Sequence, residues 1–169
     1  FEEANPEKGG EFAELRAYLI AKLLWNPDLD VNRLMDDFLS GYYGHASKMI
    51  RAYIDLLHDQ MEKSGVKLGI YQTPVEEKET FLSDSLIRIY TELFNQAEKA
   101  VAGSPEILRR VQTARLPLEY AILEIARDEK TGKRGAFMSA DDHLLRPEPE
   151  IIKMLYDFVY LCISTNVSH

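Results

Sequence analysis

The run from Ala13 to Trp25 holds thirteen residues, of which only Glu14, Arg16 and Lys22 are polar. At about 100° per residue these three spread around a helix instead of gathering on one face. A helix here is therefore apolar on several sides and calls for cover from more than one neighbour. It is shorter than the roughly 20 apolar residues that cross a bilayer. Asn26 precedes Pro27 and is pushed out of the α region, which ends the helix. Asp30 then serves as the N-cap of a second helix. In that helix Val31, Leu34, Met35, Phe38 and Leu39 fall on a single stripe. Gly41 and Gly44 bracket Tyr42 and Tyr43, with Gly44 expected as a left-handed C-cap.

Four more helices follow from the same periodicity. The first spans about Ala46 to Lys63, with Ile50, Tyr53, Ile54, Leu57 and Met61 inward and an exposed Arg51–Asp55 pair at i, i+4 spacing. Ser64-Gly65 ends it. Val66 to Tyr71 alternates weakly as an extended segment would, and Glu76 to Glu79 reads as a solvated acidic loop face. This connection is longer than most helix–helix links, and long loops are more often functional than short ones, which makes Tyr71 and Gln72 possible ligand contacts. The next helix starts at Ser83 or Asp84 and carries Leu86, Ile87, Tyr90, Leu93, Phe94, Ala97 and Val101, with Gly103 closing it. Ser104-Pro105-Glu106 opens the fifth: a cap, a proline at the first helical position, an acid in the first turn. Pro117 inside it removes one backbone donor, so a kink is expected. Asp128 to Arg146 reads as a polar loop, with turns at Gly132 and Gly135. Pro147 and Pro149 lead into a last helix whose inward side would be Ile151, Ile152, Leu155, Phe158, Val159 and Cys162.

The fold expected is thus all-α: about six helices packed as antiparallel hairpins, one kinked at proline. The domain division is a lead-in over 1–10, then a helical domain over 11–169. A chain of 169 residues suits one domain with a real core. Its net charge of −8 argues against a nucleic-acid partner, which requires a concentrated basic surface. No run is apolar and long enough for a membrane span, and no signal peptide is evident. A single cysteine, Cys162, allows no internal disulfide and reads as a small buried hydrophobe. The chain starts at Phe1, and Thr165 to His169 carries no stop signal; both ends read like cuts.

Catalytic signatures are missing from the sequence. It has no nucleophile elbow, phosphate-cradling glycine loop, H-E-x-x-H or cysteine-pair motif. No two carboxylates stand out as the pair a glycosidase needs. His58 and Glu62 have metal-compatible helical spacing but no third ligand, and Asp141-Asp142-His143 more often caps an element than holds a metal. No catalytic residue, cofactor or metal is therefore assigned. Arg109, Arg110 and Arg115 form the one basic concentration. They suit either a carboxylate ligand such as a uronate or ion pairing with neighbouring helices or another domain.

The residues L-R-A-Y-L-I-A-K-L-L-W-N-P-D-L-D-V, followed by D-D-F-L-S-G-Y-Y-G, resemble a family of large secreted bacterial proteins. That family has an uncharacterised domain related to glycoside hydrolases of the α-glucuronidase and hexosaminidase type. The resemblance extends through I-R-A-Y-I-D-L-L-H to R-R-V-Q-T-A-R-L-P-L-E-Y, about Glu11 to Tyr120. It implies a (β/α)8 barrel followed by a helical region, with the signature where barrel gives way to helices. No barrel is present in this sequence, so the resemblance carries over location and context and no catalytic residues. Under it the lead-in would be the end of the last barrel strand and its loop. Glu2 and Glu3 would then border a sugar pocket at the active-site face; otherwise they are solvated charges. Tyr18, Trp25, Tyr42 and Tyr43 would face the barrel, with Tyr42 and Tyr43 near carbohydrate, or else they pack in the core. The function implied is an accessory helical domain of a glycoside-hydrolase-like protein acting on complex carbohydrate, packed on an N-terminal catalytic barrel. The protein would be secreted, periplasmic or outer-membrane-associated. The alternative is a stand-alone helical module that binds a protein partner. A self-sufficient enzyme is a third reading.

Overall fold

A computed structural model describes residues 10–67, 69, 71–139, 144–165 and 167. Within them the chain is predominantly helical. The elements are α1 (Ala13–Trp25), α2 (Val31–Tyr43), α3 (Ser47–Ser64), α4 (Asp84–Ala100), α5 (Pro105–Glu129), the short strands β1 (Phe137–Ser139) and β2 (Leu145–Pro147), and α6 (Pro149–Thr165). Each helix packs on the next in sequence, and α2 also reaches α5.

The boundaries follow local chemistry. The Asp30 carboxylate accepts from the N–H groups of Asn32 at 2.9 Å and Arg33 at 3.3 Å, so two of the orphan donors at the start of α2 are satisfied. α2 ends at Gly44, whose φ of 53° is positive as expected. Its ψ of −124°, however, lies outside the left-handed helical well, in a region only glycine enters readily. A 3₁₀ turn (Gly44–Ala46) leads directly into α3. α5 runs unbroken across Pro117.

The main core lies between α2, α3, α4 and α5, with Leu39, Ile50, Tyr90, Phe94, Val111 and Ile125 fully enclosed. Its aromatic centre is Tyr53, whose ring lies 4.7 Å from Phe94 and 5.4 Å from Tyr90. The Tyr90 hydroxyl donates to the Phe81 carbonyl at 3.1 Å. A smaller, separate core of Leu116, Phe158, Cys162 and Val167 seats α6 on α5.

Several expectations need correcting. Glu77 is not solvated: it is buried within a 3₁₀ turn, Pro74–Glu77, that replaces the expected open loop. Glu79 pairs with Arg134 at 2.8 Å, and Arg134 also holds Glu129 and the Lys78 carbonyl, so the acidic stretch is tied to the chain that follows α5. Part of the polar loop is an antiparallel hairpin, with Phe137 opposite Pro147 and Ser139 opposite Leu145. Gly135 is required near it, because a Cβ there would lie 2.5 Å from the Thr131 backbone. α4 ends at Ala100 with Val101 as its C-cap, so Gly103 does not close it. Of the stripe expected to be inward on α6, Phe158 and Cys162 are buried, while Leu155 and Val159 face water. Arg51 does pair with Asp55, at 2.8 Å, but it also bridges to Asp36 of α2 at 2.8 Å and so joins two helices.

α1 is the least covered of the first five helices. Leu15 is its one buried residue, while Leu24 is 75% and Trp25 91% exposed.

Candidate functional site

Four of the singled-out residues meet in one place. A cleft of about 350 Å³ opens between the start of α1, the end of α2, the first turns of α5 and the end of α6. It is lined by Tyr42, Tyr43, Arg109 and Arg110 together with Glu14, Glu106 and Thr113. The helix ends converge because the long α5 passes under both α2 and α6.

Arg110 organises this cleft. Its Nη1 donates to the Tyr42 carbonyl at 3.0 Å, satisfying an acceptor at the open end of α2. Its Nη2 binds the Glu106 carboxylate one turn earlier. The guanidinium lies 4.5 Å from the centre of the Tyr42 ring, within cation–π range. The Tyr42 ring also stacks on Phe38 at 5.0 Å and 20°, and Phe38 contacts Tyr18 at 5.2 Å. Lys22 lies 5.4 Å from the Tyr18 ring. A cation–aromatic ladder therefore runs from Lys22 through Tyr18, Phe38 and Tyr42 to Arg110, binding α1, α2 and α5 together. Burial, followed by the charge of Glu14, pushes the Tyr42 hydroxyl above its ordinary pKa; the Arg110 charge opposes this. Tyr43 is 3% exposed and stands edge-on to Tyr42 at 5.0 Å. Burial holds its hydroxyl far above the usual tyrosine range. Tyr43 is a core residue at the cleft floor.

Arg109 donates to the Ser164 carbonyl, closing the cleft against the end of α6. Phe12, at the N-cap position of α1, sits at φ 48°, uncommon for a bulky side chain, and lines the same cleft. The site is thus polar and mixed in charge, with arginine donors partly engaged by carbonyls and Glu106.

The other candidates lie elsewhere. Tyr18 and Trp25 border a shallow apolar hollow with Ala21 and Leu29 on the outer side of α1. Arg115 faces the opposite side of α5, where it meets Glu98 at 3.0 Å, Glu119 at 3.2 Å and Asn95 at 2.9 Å. Its Nε is buried and makes no well-aligned hydrogen bond. Glu2, Glu3 and the Asp141-Asp142-His143 triplet lie outside the described residues. Tyr71 is exposed, whereas Gln72 binds Glu77. Among the described residues no group of three or more His, Cys, Asp or Glu side chains gathers as a metal site would require, and no helix is long and apolar enough to cross a membrane.

Sequence reasoning missed two carboxylates. Glu119 sits in a cleft of about 470 Å³ between α5 and α6, with Glu98, Arg115, Lys153 and Asp157 around it. Burial, reinforced by Glu98 and Asp157 and opposed by Arg115 and Lys153, raises its pKa to about 7. Glu77, in the turn ahead of α4, is the other. Neither carries a motif; each is distinguished only by what folds around it.

Residues 1–55 match the model of a domain of unknown function, DUF4838. The match covers about a third of the chain: the lead-in, α1, α2 and the first half of α3. Glu14, Tyr42 and Tyr43 fall inside it, and Arg109 and Arg110 outside. No curated protein matches the chain. No solved structure matches it either.

Proposed function

We propose that this chain is an accessory helical domain of a bacterial glycoside-hydrolase-like protein acting on complex carbohydrate, packed against a catalytic barrel through α1. The observation that carries the reading is the open apolar flank of α1, where Leu24 and Trp25 stand in water and Trp25 borders a hollow with Tyr18. An exposed patch of large apolar side chains marks an interaction surface. The match over residues 1–55 includes α1 itself, which favours a structural unit that continues the segment ahead of it. On this reading the Tyr42–Arg110 cleft borders the carbohydrate, with Glu14, Thr113 and Arg109 offering donors and acceptors to sugar hydroxyls or a uronate. Glu2 and Glu3, if the lead-in belongs to the barrel, would flank the same sugar. The parent protein would be secreted, periplasmic or outer-membrane-associated.

The first test is the gene upstream of Phe1. Several hundred in-frame residues with alternating strand and helix patterns support the proposal, and a start codon just before Phe1 ends it. Trp25, the single tryptophan, then supplies a direct probe. In the chain described here it should emit as a water-exposed indole and be quenched freely by iodide. Joined to the barrel, its emission should shift to the blue and quenching should fall; an unchanged indole would refute packing through α1.

A second reading, a stand-alone module that binds a protein partner, is favoured by α6. There Tyr156, Tyr160 and Ile163 recur at i, i+4 and i+7 and are each more than 70% exposed.

A further inference from the structure

A second cleft, of about 290 Å³, lies beneath the residues leading into α1, between the middle of α3, the 72–82 segment and α5. Its walls are apolar, formed by Leu57, Phe81, Leu82 and Leu118 with the Tyr53 ring. Two carboxylates, Glu11 and Glu77, interrupt them from different parts of the chain.

Glu77 is 4% exposed. Its carboxylate accepts from Gln72 Nε2 at 2.6 Å and Thr80 Oγ1 at 2.7 Å, and its backbone carbonyl accepts from the Thr80 and Leu82 N–H groups. Those contacts explain why the 3₁₀ turn is ordered, but every donor is neutral. Among the described residues no Lys, Arg or His forms an ion pair with Glu77; the adjacent Lys78 turns to Asp128, and Arg134 to Glu79 and Glu129. Burial of a carboxylate among apolar groups is unfavourable unless a positive charge offsets it. Glu11 approaches from the other side. As a residue it is exposed, yet its carboxyl reaches within 3.3 Å of the Tyr53 hydroxyl, which donates to it. Loss of water around that carboxyl raises its pKa, opposed by the Tyr53 hydrogen bond and more weakly by the charges of His58 and Arg16, while burial and then the Glu11 carboxylate hold the Tyr53 hydroxyl high. Among the described residues none that lines the cleft is basic. A recess lined by one sign of charge within low-dielectric walls concentrates ions of the other sign, and the chain's net charge of −8 adds to that field. Among the described residues no three His, Cys, Asp or Glu side chains gather here.

We propose that this cleft binds a small organic cation, an ammonium group carried on an apolar body. The ammonium supplies the charge that Glu77 lacks and reaches the Glu11 carboxylate, while the apolar part packs on Leu57 and Phe81. The proposal is independent of the carbohydrate reading and uses a different face of the fold.

Phenethylamine, 2-phenylethanol and phenylacetate, titrated onto the chain at neutral pH by calorimetry and NMR, test it with one body and three head groups. The amine should bind saturably, the alcohol at least about tenfold more weakly, and the acid not at all. Glu11→Gln should weaken the amine about tenfold with far-UV circular dichroism unchanged, and Glu77→Gln should abolish binding. Equal affinity for amine and alcohol would overturn the proposal, as would a folded chain that fails to saturate with millimolar amine, or amine binding indifferent to Glu11→Gln. If Glu77→Gln does not fold, the ligand series on the unaltered chain and the Glu11 variant decide the matter.

Discussion

Replacing Glu119 with glutamine isolates one buried charge. Its carboxyl belongs to α5 and is faced by Glu98 from α4, by Arg115 from its own helix, and by Lys153 and Asp157 from α6. The side chain is 16% exposed, so solvent screens it little. A rise from 4.5 to about 7 on folding corresponds to about 3 kcal/mol in favour of the protonated form. The folded state therefore holds this proton more tightly than the unfolded state. The stabilisation is complete below about pH 4.5 and is lost as pH rises through 7, with about 2.5 kcal/mol of the loss falling between pH 5 and 8. Glutamine keeps the shape but cannot titrate, so the variant lacks that loss. Urea unfolding followed by far-UV circular dichroism at pH 5 and pH 8 measures it. The difference in stability, Glu119→Gln minus parent, should become more positive by about 2.5 kcal/mol at the higher pH. With a slope of about 2 kcal/mol per molar urea, that is a relative shift of roughly 1 M in midpoint. Glu11, whose carboxyl is also raised, contributes equally to both proteins and cancels. A difference that is the same at both pH values, or of opposite sign, would refute the desolvation argument for this cleft.

Gly44→Ala forces a Cβ onto a backbone at φ 53°, ψ −124° and sets it 3.4 Å from Ile107 Cδ1; a loss of about 1–3 kcal/mol in urea unfolding is expected. Asp30→Ala removes both acceptor contacts at the start of α2 and should destabilise by about 0.5–2 kcal/mol, read from the same transition. Tyr90→Phe leaves the buried Phe81 carbonyl without its donor and should lower stability by about 1–3 kcal/mol. Trp25→Ser, by contrast, should change the melting of this chain by no more than about 0.5 kcal/mol, since the indole is 91% exposed; a larger loss would mean that α1 leans on Trp25 in a way the fold does not indicate.

The helices were legible because their signals are local. Asp30 as a cap, Asn26-Pro27 as a stop and Pro105-Glu106 as a start act on the backbone within a few residues, and the structure uses all three, although the Ser104 side chain makes no capping hydrogen bond. The α4 stripe was equally readable, since Tyr90, Phe94 and Ala97 are its buried residues. The α6 stripe misled: it is apolar around most of its circumference, and periodicity alone cannot say which arc meets α5. The extended segment expected at Val66–Tyr71 rested on a weak alternation; Leu68 and Ile70 lie outside the described residues, while Val66, Lys67 and Gly69 are in no strand and Tyr71 lies in a turn.

The site was half legible. Tyr42, Tyr43, Arg109 and Arg110 stood out one at a time, as aromatic rings beside glycines and as cations in an acidic chain, but nothing in their spacing joined them. Their meeting depends on α5 crossing the end of α2. The same holds for Glu77, one acid in a run of similar ones until the turn from Thr73 to Thr80 encloses it.

What the amino acids determined alone is the set of helices, most of their ends and the excess of apolar surface on α1, because propensity, capping and periodicity operate over one or two turns. Tertiary packing decided which carboxylates lose their water and which arginines find partners. Desolvation and charge pairing depend on groups brought together from distant parts of the chain, and no local pattern encodes that distance.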